Sequence, residues 1–349
     1  MRIDDLLKRA VERGASDLHL VVTSPPALRI DGNLVLQEDL PPLNVEDVEL
    51  ALEQVSTEDQ RLAFDKEHEL DCAYDAPGLA RFRVSAMSQR GAASLNFRLV
   101  PLKVPSIDGL GLPQIYKTLI MKPRGLILVT GAAGSGKSTT LAAMINHLNE
   151  TENRNVITIE DPIEFLFTNK KCLIQQRDLG EDTNSFSVAL MHALRHDPDV
   201  IVIGEMRDLA TLSTAIRSAE TGRLVLSTLH TIDAAQSIDR IIDVFPYGQQ
   251  QQIRLQLSRV LEAVLAQTLV RRVGGGRIGA FEIMLANSVI QRLIREDKVH
   301  EIPPNIAMSK LEGMQTLDQA LADLVRKGLV SRDEALAKST SPVKLSQLL

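Results

Sequence analysis

Four short stretches of the chain carry residues whose types and spacing could do chemistry. The first, GLILVTGAAGSGKSTTL (125–141), fits the pattern GxxxxGK[ST] with Gly131, Gly136, Lys137 and Ser138. The glycines let the backbone N–H groups of Gly131, Ala132, Ala133, Gly134, Ser135, Gly136, Lys137, Ser138 and Thr139 turn inward around phosphate oxygens. A helix opening there adds the partial positive charge of its N-terminus. Lys137 is then placed to reach the β- and γ-phosphates of ATP, and Ser138 to ligate Mg²⁺. A chance glycine-rich turn is the bland alternative. It does not account for strand, glycines, Lys-Ser and helix arriving in the required order.

The other three stretches supply acids, a histidine and an arginine. VIVIGEMRD (200–208) runs four aliphatic residues into Gly204 and Glu205, and burying a carboxylate is costly unless something compensates it. Alone, Glu205 could simply cap the strand. Beside a phosphate loop it is expected to serve the metal, on a strand neighbouring that loop. Arg207 and Asp208 fit the solvated start of the next helix, and Arg207 also fits a phosphate contact or a pairing across a subunit boundary. VITIEDPIEFLF (156–167) carries Glu160, Asp161 and Glu164, with Pro162 fixing the local turn. A carboxylate that orients water for phosphoanhydride hydrolysis is expected from this cluster, although an acid-rich solvated loop would look the same. In LSTLHTIDAAQSIDRIID (226–243), His230 closes an apolar strand. A lone histidine there is commonly a hydrogen-bonded structural residue. Its carboxylate-bearing neighbours suit a sensor of the γ-phosphate better than a proton-transfer group.

These residues need elements to hold them. From residue 114 apolar strands (125–130, 156–160, 200–205, 224–230) alternate with helical stretches such as 139–150 and 185–196, which predicts a parallel α/β sheet covered on both faces. The first hundred residues read as a smaller α+β unit. It has an amphipathic helix bearing Ile3, Leu6, Leu7, Ala10 and Val11, and a strand at 16–22. A hairpin over 28–36 turns at Asp31-Gly32, one helix spans 45–64, and strands at 80–89 and 93–100 are joined near Gly91. The proline- and glycine-rich PLKVPSIDGLGLP (101–113) predicts a linker. The expected domains are therefore 1–100, a core over 114–287, and a helical, polar region over 288–349 that ends in a mobile tail.

With these stretches in hand, the chain resembles the secretion ATPase superfamily that powers type II and type IV secretion and type IV pili. In that family's terms 131–138 is similar to the Walker A motif, 156–167 to the Asp box, 200–208 to Walker B and 226–243 to the His box. The resemblance extends to SDLHL near the start, GLARFRV in the first domain, AETG (219–222) and VGGGRIGAFEIM (273–284). VIQRLIRED (289–297) resembles the signature of the family's pilus retraction motors, which drive pilus disassembly and twitching motility. The resemblance implies an α/β chain with an N-terminal PAS-like domain, a RecA-like P-loop ATPase domain and C-terminal helices. It further implies a homohexamer at the cytoplasmic face of the inner membrane, working on the pilus platform protein. Under it Glu205 holds Mg²⁺ through water and Glu164 is the general base. Arg83 and Arg98, on adjacent predicted strands, become candidates to meet the phosphates and stabilise transition-state charge. The loop reads GAAGSGKS where GPTGSGKS is usual, and the signature carries Val289, Gln291 and Arg292 where the family usually has other residues. Ala132 and Ala133 act through their backbone, so ATP binding is expected to survive.

Composition bounds the alternatives. A chain of 349 residues with 44% hydrophobic and 24% charged residues suits a soluble globular protein of two domains. The opening MRIDDLLKRAVERG has no apolar core and is not expected to be a signal peptide. No apolar run approaches the roughly 18–20 residues of a membrane span, so no direct insertion is expected. Cys72 and Cys172 have no CxxC spacing and are expected to be reduced thiols of a cytosolic protein. An extension or secretion motor of the same family would be expected to carry a further N-terminal domain and a tetracysteine module. A RecA-like DNA translocase is the rival of a different class. The net charge of −6 and 3% aromatic content count against it, because strand binding wants cationic grooves with stacking platforms.

Overall fold

The computed structural model describes residues 2–30, 32–100 and 104–349. The chain divides into two units, one formed by Met1–Lys103 with Glu164–Leu166, the other by Val104–Ile163 with Phe167–Leu349.

In the first unit, α1 (Ile3–Glu12) buries Ile3, Leu6, Leu7 and Ala10, one stripe at helical spacing. There follow β1 (Asp17–Leu20), β2 (Ala27–Ile30), β3 (Asn33–Leu36), α2 (Val45–Val55), α3 (Glu58–Glu67), β4 (Glu69–Ala76), β5 (Ala80–Gln89) and β6 (Ala92–Leu99). The strands form one antiparallel sheet in the order β3-β2-β1-β6-β5-β4. Period-2 alternation sends Phe82, Val84 and Ala86 of β5 into the core and leaves Arg83 and Ser85 on the other face. The expected hairpin over 28–36 is β2–β3; Gly32 has φ +83°, and Asp31 lies outside the described residues. The single helix expected over 45–64 is two helices. Ser56 is extended, and Thr57 exchanges side-chain and backbone hydrogen bonds with Gln60 in a capping box that starts α3. Strand β4 was not anticipated from the pattern.

The second unit comprises α4 (Ile115–Ile120), β7 (Gly125–Thr130), α5 (Lys137–Thr151), β8 (Asn155–Glu160), β9 (Leu173–Asp178), α6 (Phe186–Ala193), β10 (Val200–Ile203), α7 (Leu209–Glu220) and β11 (Leu224–Leu229). After these come α8 (Ala234–Asp243), α9 (Tyr247–Val260), β12 (Leu261–Arg271), β13 (Arg277–Leu285), α10 (Ser288–Arg295), α11 (Ile302–Met308), α12 (Leu317–Arg326), α13 (Arg332–Lys338) and α14 (Pro342–Leu348). The sheet order is β13-β12-β7-β11-β10-β8-β9, parallel from β12 to β9, with β13 antiparallel at one edge. Its central strands are buried and largely apolar because both faces are covered. Leu126, Leu128, Ile201 and Ile203 pack into one core, while Ile127, Val129, Val200 and Val202 pack into the other.

Residues 104–113 belong to this unit, with Ile107 and Leu112 buried, whereas Pro101, Leu102 and Lys103 of the expected linker lie outside the described residues. The segment expected as a mobile tail is helical at its end. Its last residues form α14, and Leu345 is buried with Leu317 and Leu321 of α12, which gives the segment an apolar reason to stay down.

Candidate active site

In an open parallel sheet the carboxyl ends of the strands share one edge, and ligands bind there. The predicted site residues of the second unit follow β7, β8, β10 and β11 along that edge. After β7 the chain turns through Gly131 (φ +143°) and Gly136 (φ +89°) into α5. A Cβ at Gly131 would stand 2.3 Å from the backbone oxygen of Gln267 and 2.6 Å from Ser135 Oγ, so no other residue fits. Lys137 is buried, and its Nζ donates to the Gly131 and Ala132 carbonyls at 2.9 and 3.0 Å. Ala132, Ala133 and Gly134 are exposed, and Ser138 and Thr139 lie half-buried on the first turn of α5. Ser135 Oγ is buried without a hydrogen-bond partner, unusual for a hydroxyl and fitting for one that meets an acceptor from outside the chain. The loop therefore suits a phosphate group: a cradle that a Cβ would fill, a buried ammonium, a spare hydroxyl and a helix N-terminus.

Glu205 follows β10 and is gathered with two other predicted residues. His230 Nε2 lies 3.3 Å from Glu205 Oε2, and Arg207 Nε pairs with Glu205 Oε1. The Glu205 side chain is 14% exposed, against 74% for Arg207 and 54% for His230, so a sunken carboxylate is flanked by a solvent-facing guanidinium and a solvent-facing imidazole. The turn that aims it is clamped: Ser227 and Thr228 of β11 donate to the Ile203 and Gly204 carbonyls at 2.8 and 2.6 Å. Asp208 caps α7, accepting from Thr211 N and Thr211 Oγ1. Burial would raise its carboxyl, but the Thr211 bonds outweigh burial and hold it below the usual range.

The strand carrying Glu205 is not the phosphate loop's neighbour. Strand β11 lies between β7 and β10, and β8 is one strand further out. At about 4.8 Å per strand, Glu205 starts about 10 Å across the sheet from the loop, and the acids after β8 about 14 Å. It is His230, at the end of β11, that occupies the adjacent position. Glu160 turns back on its own sheet, accepting from Thr158 Oγ1 (2.6 Å) and Gln176 Nε2 (3.1 Å). Asp161 is exposed and precedes Pro162 through a cis peptide bond. Glu164 is also exposed and groups with the first unit, as do Arg83 and Arg98. Those arginines sit directly opposite one another on β5 and β6. Arg98 Nε donates to buried Asp17 at 2.8 Å, and Arg83 stands 3.8 Å from Asp71. Burial works to raise the Asp17 carboxyl, but Ser16 and Arg98 together hold it low.

The profile of the family described as "Type II/IV secretion system protein" matches residues 1–337. The chain belongs to that family. Among members of the type II/IV secretion family, it is 48% identical over 342 residues to the "Type IV pilus retractation ATPase PilT" of Pseudomonas aeruginosa, covering 98% of this chain and 99% of that one. It is 44% identical over 323 residues to a "Twitching motility protein" of Neisseria gonorrhoeae, covering 92% and 86%. A crystal structure of the pilus retraction motor PilT with bound ADP superposes with a TM-score of 0.94 at 43% identity, covering 99% of each chain.

Two buried residues of this secretion-family chain escaped sequence reading. Gln267 of β12 donates from Nε2 to the Ser135 carbonyl (2.7 Å) and accepts at Oε1 from Thr140 Oγ1 (2.9 Å). Glu282 of β13 accepts from Ala234 N, the first residue of α8 (2.9 Å), and burial pushes its carboxyl up to about 7. The available signal was a polar residue inside a largely apolar strand, Gln267 in LEAVLAQTLV and Glu282 in GAFEIML. Gln267 lies outside the stretches that carry the family likeness, whereas Glu282 lies within VGGGRIGAFEIM (273–284). Their partners are 132 and 48 residues away.

Proposed function

We infer that this chain is an ATP hydrolase whose turnover powers retraction of type IV pili. The observation that carries this reading is the phosphate loop, with Lys137 buried against its carbonyls, in a chain similar end to end to a retraction ATPase. In this reading residues 1–100 form a PAS-like domain, 101–113 a connection whose residues 104–113 pack with the second unit, 114–287 a RecA-like core, and 288–349 a helical region bearing the retraction signature. Valine and arginine of that signature, Val289 and Arg292, are exposed on α10 while Ile290, Leu293 and Ile294 anchor it, so its surface is free to engage other elements.

The loop amides from Gly131 to Thr139 hold the phosphates of ATP, and the Lys137 ammonium offsets their charge. Ser138 and, through water, Glu205 would hold Mg²⁺. Mg²⁺ so bound would neutralise charge developing on the phosphate oxygens. Glu164 accepts the proton of the attacking water, with Glu160 and Asp161 shaping its segment. His230, hydrogen-bonded to Glu205, reports the γ-phosphate. Arg83, Arg98 and Arg207 stabilise transition-state charge. Head-to-tail contacts that close give a ring, and the assembly proposed is a homohexamer at the cytoplasmic face of the inner membrane, acting on the pilus platform protein and not on nucleic acid. Among the described residues no helix is long and apolar enough to cross a membrane.

The test is genetic and biochemical together. A strain lacking this chain should keep surface pili and lose twitching, restored by the wild-type chain and not by Glu164→Gln. Restoration by a variant shown to be inactive on ATP would overturn the reading.

A further inference from the structure

We infer that Gln267 is a positioning residue for the phosphate loop, a buried strut that holds the loop in its binding shape before any phosphate arrives. This rests on the reading that residues 131–138 bind the phosphates of a nucleotide. Strand β12 runs parallel to β7 with Ala266 opposite Thr130, so Gln267 arrives where the loop leaves the sheet. Its backbone oxygen is what a Cβ at Gly131 would strike, and its Nε2 would lie 3.3 Å from a Cβ at Gly136. Both ends of the loop are thus moulded against one residue.

A buried amide inside an apolar strand is costly unless both of its ends are satisfied. Here both are, and both partners belong to the loop and its helix. Ser135 precedes Gly136 and Lys137, and Thr140 lies in the first turn of α5; Gln267, Ser135 and Thr140 are all buried. Because the peptide is planar and trans, holding the Ser135 carbonyl toward Gln267 directs the Gly136 N–H the opposite way. One side chain thereby sets the orientation of an amide that would meet phosphate. Without it the loop populates its binding shape only part of the time, and apparent affinity falls by that fraction.

Gln267→Leu keeps the volume and removes both hydrogen bonds. In the full-length protein its dissociation constant for MgADP should rise about tenfold and its KM for ATP similarly, while kcat at saturation stays within about threefold, since the reacting groups are untouched. Thermal unfolding of the same sample shows that the fold is retained. Should the leucine variant not fold, Gln267→Met removes the same two hydrogen bonds with a more pliable side chain of similar length, and should show the same split. MgADP affinity within twofold of wild type, or a loss confined to kcat, overturns the proposal. Lys137→Ala separates the two layers: normal MgADP binding there sinks the phosphate-loop reading, whereas lost binding there beside wild-type binding in the Gln267 variant sinks the strut alone.

Discussion

Lys137 shows how far a single residue can be read from its spacing. Its place in GxxxxGK[ST] predicts a phosphate contact, and its buried ammonium bonds to the loop's own carbonyls. Lys137→Ala should weaken MgATP binding by about a hundredfold, on the order of two charge-assisted hydrogen bonds, as measured by titration calorimetry. Glu164→Gln and Glu205→Gln should behave differently from it. Each should retain nucleotide within a few fold yet lose about a hundredfold or more in phosphate release, because proton acceptance and metal support act in the transition state. Unchanged turnover in either variant would remove that carboxylate from the mechanism. Spacing did not reveal that Glu205 already has partners in His230 and Arg207, because those contacts join residues brought together by the ends of β10 and β11.

Elements were legible wherever one physical signal dominated. Continuous apolar runs gave β7, β8, β10 and β11, and helical spacing gave α1. Local capping chemistry was under-read, so the Thr57-Gln60 box that divides α2 from α3 went unseen. The β12–β13 hairpin was missed too. Its residues follow α9 with little break, and its glycine turn at 274–276 lies in a stretch where family likeness is the stronger signal. That hairpin carries a consequence for pH. Burial raises Glu282 from 4.5 to about 7, so the folded state binds a proton that the unfolded chain has released. The associated stability is fully present below about pH 4.5 and is lost as pH rises through about 7, an amount of roughly 3 kcal/mol. Glu282→Gln should therefore flatten the stability profile across that window and raise the unfolding temperature most at pH 8 and above, read by circular dichroism. A variant whose profile keeps the wild-type slope would show that another group carries it.

At the scale of the whole molecule, the prediction is an assembly. Light scattering with MgATP and the slowly turning over Glu164→Gln chain should give six times the 38.4 kDa mass, and a monomer under every condition would rule out the ring. The sequence by itself determined the alternation of strands and helices, the phosphate loop and the identity of its lysine, because these depend on local periodicity and on residues adjacent in the chain. Family likeness was equally readable from motif order. Tertiary structure alone decided the strand order, which sets β11 and His230 between the loop and Glu205. It also decided the pairing of Arg83 with Arg98, the docking of α14, and the seat of Gln267 beneath the loop. All of these depend on which distant segments meet, and sheet order and burial are properties of the packed chain that no local spacing encodes.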